Sequence, residues 1–392
     1  MKNSEVKILF LSNGYGEDAI ASGIVEKILE KFPGLKIFAL PLVGDGKAYK
    51  SSDISIIGPS ADMPSKGLIP ANWKNIFKDM AAGLGSLLFK QIKTIKKIRR
   101  EISCVVAVGD LFPVVMAGLF AGRPLVFVGT AKSNYYYPYS PVEVKLLKKF
   151  CRVALVRDET TAESLRKESL DARWVGNAMM DCMRITGKDF GIPASSKVIG
   201  LLPGSRDEAY ADFQLILKSV EHLDDENFSF IAALADSTSI EKIAEESAMD
   251  GWEFDSGNNL NSGNCGLLKK SGKSILLTKG CFGDVISKSV IVIGQAGTGN
   301  EQAAGLGKPV VSFDSEGKKN PGWYRARQKG LLGDSLSVVE KNYESIFLEV
   351  KKILDNPQVY EKMKNTGLQR MGPAGGAGKM AQIIMKEAGV EI

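Results

Sequence analysis

Histidine is nearly missing from these 392 residues: His222 stands alone. That excludes His-rich metal sites and removes histidine as the base of any site not built near residue 222. Cysteine is scarce as well. Cys104, Cys151, Cys182, Cys265 and Cys281 show no C-x-x-C or zinc-finger spacing, so neither a structural zinc nor a disulfide framework is indicated. Several lie in apolar runs, where cysteine acts as a small hydrophobe, and the pattern suggests a reducing compartment. No stretch of about 18 uncharged apolar residues occurs, so no bilayer-spanning helix is expected. No signal-peptide apolar region stands near Met1, and a cytoplasmic location is the expectation. Neither charge sign dominates: the formal net charge of +6 is too mild to imply nucleic acid, and no such partner is expected.

What is present is ordinary globular composition, 44% hydrophobic and 24% charged, at a length that suits two domains. Strand-like runs rich in Val, Ile, Leu and Phe fall at 6–11, 35–40, 104–108, 125–128, 153–156 and 172–175. Such runs suit strands covered on both faces. Helical patterns such as 19–32 and 160–167 alternate with them, which implies a parallel sheet. A second series starts near residue 197, with runs at 197–202, 228–234, 274–278, 290–293 and 309–313. The expected fold class is α/β: two Rossmann-like domains facing a central cleft. The N-terminal domain is expected over 1–178, with a helix within 374–392 packing back on it, and the second domain over 179–373. Residues 256–272 look like a mobile insertion.

Three glycine turns carry the candidate chemistry. The first, "LSNGYGEDAIASG", closes the first strand and opens a helix. Gly14 and Gly16 allow close backbone approach around Tyr15, while Glu17 and Asp18 argue against an anion there. The alternative for Glu17 and Asp18 is plain complementation of the helix dipole. The second turn, "LLPGSRDEAY", offers Gly204, a possible cap in Ser205 and the cationic fork of Arg206, together suiting a diphosphate. The third, "VIGQAGTGNEQAAGLGKPVVSF", exposes amides of Gly297, Thr298 and Gly299 at a helix start. Glu301, followed by Gln302, lies in the first turn of that helix, where a carboxylate can accept from ribose hydroxyls. The run 372–379 imitates a phosphate loop but fails: Pro373 occupies the required glycine and Met380 the required Ser or Thr.

With "LLPGSRDE", "WVGNAMMD" and the Glu301 turn together, the chain resembles the B-type (GT-B) glycosyltransferases. It is similar to lipid-A-disaccharide synthase and, more closely, to a set of synthase-related proteins, through "SNGYGEDAIA", "AVGDLFPVVMAG", "VGTAKSNYYYPY" and "RDETTAESL". More distantly it resembles the peptidoglycan N-acetylglucosaminyltransferase and UDP-N-acetylglucosamine 2-epimerase. The resemblance implies a UDP-sugar donor, held by Gly204, Ser205, Arg206, Gly297, Thr298, Gly299 and Gln302, with Phe282 where the backbone clasps a uracil and Glu301 on the ribose. It implies an acceptor side formed by Gly14, Tyr15 and Gly16, and a catalytic base among Asp110, Glu17 and Asp18. Members of the related set carry His at the position of Tyr15, which removes a histidine base here. Asp110 matches an aspartate that the synthase carries at the same strand end; its alternative role is a helix cap before Pro113. No metal and no cofactor is implied, and no strand-end Asp-x-Asp is present.

The expected activity is transfer of a sugar, an N-acetylhexosamine by the resemblance, to a lipid or glycan acceptor. A UDP-sugar 2-epimerase-like isomerase and a non-catalytic nucleotide-sugar-binding protein are the alternatives. Residues 70–102 form a long helical pattern, with Trp73, Ile76, Phe77, Met80, Leu84, Leu87, Leu88, Ile95 and Ile98 as one stripe. Lysines and arginines crowd the other positions. Two readings stay open: a helix packed on the sheet with a solvated basic face, or a peripheral contact with an anionic membrane through residues 63–100. The four tyrosines of "NYYYPYSP" serve either sugar stacking or loop packing.

Overall fold

The computed structural model describes residues 6–51, 54–60, 84–223, 227–257, 263–314 and 321–390. The chain divides into two compact units, Met1–Cys182 with Ala374–Ile392, and Met183–Pro373.

The first unit holds a seven-stranded sheet: β1 (Lys7–Ser12), β2 (Lys36–Pro41), β3 (Ser55–Ile56), β4 (Cys104–Gly109), β5 (Leu125–Gly129), β6 (Val153–Val156) and β7 (Ala172–Arg173). Its order is β3-β2-β1-β4-β5-β6-β7, parallel throughout. Every residue of β4 is buried, as the unbroken run Cys-Val-Val-Ala-Val-Gly requires of a strand covered on both faces. The chain builds outward from β1 to β3, then returns to add β4 on the other side of β1. That reversal is a topological switch point, where the turns after β1 and β4 lie together and lead to helices on opposite faces of the sheet.

On one face, the helix Tyr15–Lys31 lays Ile20, Ile24 and Ile28 into a core shared with Met380, Ile384 and Met385 of the helix Gly376–Glu387. The C-terminal segment is thus part of this unit. Asp181 fixes the start of that last helix by accepting from the N–H groups of Gly375 and Ala377, the latter at 2.7 Å.

The other face is covered in part by the helix Leu84–Ile98, whose Leu87 and Ile95 are buried, while Phe89, Lys90, Lys93, Lys96 and Lys97 are exposed. The apolar stripe here is therefore core on one side of the helix. Met63, Leu68, Ile69, Trp73, Ile76, Phe77 and Met80 lie outside the described residues.

The second unit holds eight strands: β8 (Lys197–Leu202), β9 (Phe228–Leu234), β10 (Glu253–Asp255), β11 (Asn264–Lys270), β12 (Lys273–Lys279), β13 (Ser289–Gly294), β14 (Val310–Phe313) and β15 (Leu336–Val339). The order is β10-β11-β12-β9-β8-β13-β14-β15. Pairing is parallel from β12 to β15 and antiparallel for β10–β11 and β11–β12. The expected insertion over 256–272 is thereby corrected: 264–270 is a strand of the sheet. It turns into β12 through Ser271 (φ 49°) and Gly272 (φ 80°). Its glycine, bulge and lysines hide the alternation that would have announced it. The switch point of this sheet lies between β8 and β13.

Candidate functional site

In the first unit, the turns after β1 and β4 meet at the switch point. Gly14 (φ 152°) and Gly109 (φ 127°) end the two strands in conformations that side chains resist. At Gly109 there is a second reason for glycine: a Cβ would stand 3.0 Å from Glu17 Cγ. Asp110 caps the helix Leu111–Phe120, accepting from Phe112 N–H at 2.9 Å, so its cap role is realised. The cap leaves capacity on both oxygens, and Asn13 Nδ2 donates to each at 3.2 Å.

Glu17 is half-buried and accepts from Thr130 Oγ1 at 3.4 Å. Burial holds the Glu17 carboxyl above the ordinary carboxylate range, and the nearby charge of Asp110 adds to the rise. Burial also raises Asp110, against the opposing donors Phe112 N–H and Asn13. Both carboxyl groups thus have their proton affinities pushed upward, chiefly by burial, a setting suited to acid–base work.

Asp18 behaves differently. It is 1% exposed, accepts from Ser12 Oγ at 2.5 Å, and Ser12 is in turn bonded to Tyr49 Oη at 2.7 Å. Burial pushes its carboxyl up to about 7. Closed off from solvent, it holds the turn through Ser12. Tyr15 is 47% exposed, with its ring against Gly44. Of the tyrosine loop, Tyr139 packs edge-on against Phe127 (6.3 Å, 80°), and Lys132 sits 4.0 Å over Tyr137 while pairing with Glu143 at 2.6 Å.

In the second unit, the turns after β8 and β13 lie side by side at that sheet's switch point. Gln295 N–H donates to Leu202 O at 2.7 Å, and a Cβ on Gly204 (φ 104°) would stand 3.5 Å from the Gln295 carbonyl oxygen. Phe282 opens the helix Phe282–Lys288, and a Cβ on Gly299 would reach its ring at 3.0 Å. Tyr324 links the two turns: its ring lies 5.7 Å from the Arg206 guanidinium, and its hydroxyl would stand 2.6 Å from a Cβ on Gly297. Gly204, Arg206, Phe282, Gly297 and Gly299 are therefore one neighbourhood. Ser205 and Arg206 are exposed there. The helix Thr298–Gly305 starts at the turn, with Thr298 exposed and Glu301 half-buried in its first turn. Gln302 is 7% exposed.

Ser205 is not a helix cap. The helix begins at Ala209, because residues 206–209 first close a turn, Ala209 N–H to Arg206 O at 2.9 Å. Asn13, Thr130 and Tyr324 escaped the sequence reading. Asn13 alone had a signal, its place between a strand end and a glycine. Among the described residues, no three His, Cys, Asp or Glu side chains gather to hold a metal ion.

No protein-family model matches the sequence, and no curated protein matches it. Solved structures do. The calicheamicin glycosyltransferase CalG4 matches with a TM-score of 0.61 at 13% identity, over 98% of this chain and 99% of that one. MurG of Acinetobacter baumannii gives 0.60 at 13%, over 97% and 99%. The UDP-GlcNAc 2-epimerase of Neisseria meningitidis, bound to UDP-GlcNAc, gives 0.56 at 16%, over 97% and 99%. At these identities the likeness establishes the fold: two α/β units built on parallel sheets, of the GT-B type shared by glycosyltransferases and epimerases.

Proposed function

We propose that this chain is a metal-independent glycosyltransferase of the lipid-A-disaccharide synthase-like kind, moving an N-acetylhexosamine from a UDP-sugar to a lipid or glycan acceptor. The observation that carries the reading is the meeting of the β8 and β13 turns beside Arg206, Phe282 and Tyr324. Amides at a helix start and a guanidinium suit a diphosphate, whose departure they also stabilise. Glu301 accepts the ribose hydroxyls, the Phe282 backbone takes the uracil, and Gln302 packs beneath. Gly14, Tyr15 and Gly16 line the acceptor side. Asp110 takes the proton of the acceptor hydroxyl as that oxygen attacks the anomeric carbon. The carbon–oxygen bond to the diphosphate breaks, and UDP leaves.

The lipid acceptor draws support from the helix Leu84–Ile98, where Phe89 is 70% exposed beside Lys90, Lys93, Lys96 and Lys97. That surface suits peripheral contact with an anionic bilayer from the cytoplasmic side.

A thermal-shift series of nucleoside diphosphates and their sugars tests the donor, since a ligand bound only by the folded state raises its melting point. UDP-sugars are expected to protect, and Glu301→Ala to weaken that protection by about tenfold or more in affinity. Equal protection of wild type and variant would remove Glu301 from the site.

An isomerase reading, a UDP-sugar 2-epimerase, is supported by the Glu17–Asp110 pair, since epimerisation needs acid–base groups and no acceptor. Interconversion of the sugar without added acceptor would favour it. UDP release only when membrane extract is supplied would favour transfer.

A further inference from the structure

Behind the turn that follows β13 lies a buried polar cluster unrelated to the apolar core. The helix Pro321–Leu332 presents Arg325 and Gln328, only 2% and 4% exposed. Arg325 Nε donates to Phe313 O at 3.0 Å, and Nη1 to Gln328 Oε1 at 2.6 Å. Its Nη2 donates to Gln295 O at 3.1 Å and to Gln295 Oε1. With its oxygen so engaged, the Gln328 amide points its nitrogen at Ala296 O (3.3 Å) and Gly297 O (2.9 Å). Asn300 Nδ2 and Ser312 Oγ donate to Gly294 O, at 2.9 and 2.5 Å.

The carbonyls of four successive residues, Gly294 to Gly297, are thus held by side chains. In a trans peptide the N–H points opposite to the preceding C=O. Tying back the carbonyls of Ala296 and Gly297 therefore turns the N–H groups of Gly297 and Thr298 away from the cluster. Among the described residues no protein acceptor takes those N–H groups.

The cluster has a second property. Every hydrogen bond of Arg325 among the described residues ends on an uncharged oxygen. Asp212 and Asp314 reach it only through space. A buried cation without a bonded carboxylate is costly alone and favours an anion at the nearby turn.

We propose that Arg325 is a positioning residue for an anion of the diphosphate class: with Gln328 it presents the amides of the turn after β13, and its charge draws the ligand there. The identity of that anion as part of a sugar nucleotide rests on the function proposed above; the anion preference does not.

The test is isothermal titration of the full-length protein with inorganic pyrophosphate, UDP and uridine, for wild type, Arg325→Lys and Gln328→Glu. Lysine keeps the charge but loses the fork. Glutamate keeps the arginine but neutralises it. Both variants are expected to lose about tenfold in affinity for pyrophosphate and for UDP, with uridine little changed. If Arg325→Lys does not fold, Gln328→Glu is read alone. Unchanged pyrophosphate affinity in a folded variant overturns the assignment. So does an equal loss for all three ligands, which marks a purely structural role. If pyrophosphate binds the wild type and neither UDP nor uridine does, the sugar-nucleotide reading falls and this one stands. If none of the three binds, both fall.

Discussion

Asp110 caps a helix and, in the proposed function, takes up a proton, and one substitution separates the two tasks. Asparagine caps about as well as aspartate but cannot take up a proton. Asp110→Asn is therefore expected to keep the melting point within a few degrees while turnover falls by about a hundredfold or more. Turnover equal to wild type would assign the base elsewhere.

Asp18 makes a different prediction, one of stability. Its folded value, about 7, stands above the ordinary aspartate value of 3.8. The folded state therefore holds this proton when the unfolded chain has released it, so the contribution to stability is full below about pH 4 and is lost as pH rises toward 7. The steepest loss is about 1.4 kcal/mol per pH unit. Asp18→Asn removes the titration, so its melting curve should fall less than that of wild type between pH 5 and pH 8. Parallel profiles would contradict the buried carboxyl.

At the scale of elements, most strands were legible because their apolar runs are unbroken. Strand β11 was not. Gly266 sits at φ 145° beside a bulge, and lysines end the strand, so no period of two survives in the sequence. The three glycine turns were legible as turns, yet which turns meet depends on strand order, and strand order is a matter of long-range pairing. Asp181 shows the same limit. In the sequence it merely ends "WVGNAMMD", whereas in the fold it seats a helix nearly two hundred residues later. Asp181→Ala leaves two N–H groups without their acceptor and is expected to cost about 1–2 kcal/mol. Chemical denaturation reads this directly, and a midpoint unchanged from wild type would show the contact to be dispensable.

For the whole molecule, the fold class followed from alternating strands and helices, and the solved structures bear it out. Among the described residues no helix is long and apolar enough to cross a membrane. In the proposed function the basic helix Leu84–Ile98 touches the bilayer from its surface. Flotation with vesicles rich in anionic lipid should carry the protein upward at low salt and release it at high salt, since surface charge is screened within about a Debye length. Failure to float at low salt would remove the membrane contact. Replacing Lys93 and Lys97 with Gln should weaken flotation without altering the melting point, as both side chains are exposed.

The sequence by itself determined the local plan: where strands end in glycine, where helices begin, and which charges stand at those ends. Backbone sterics and hydrophobic periodicity act over a few residues, so they can be read from a few residues. Only the tertiary structure decided that Asp110 meets Asn13, that Asp18 is sealed beneath Ser12 and Tyr49, and that Arg325 stands behind the Gly294–Gly297 turn. Burial and hydrogen-bond partners across tens of residues come from how sheets order and pack, and no short stretch of chain encodes that order alone.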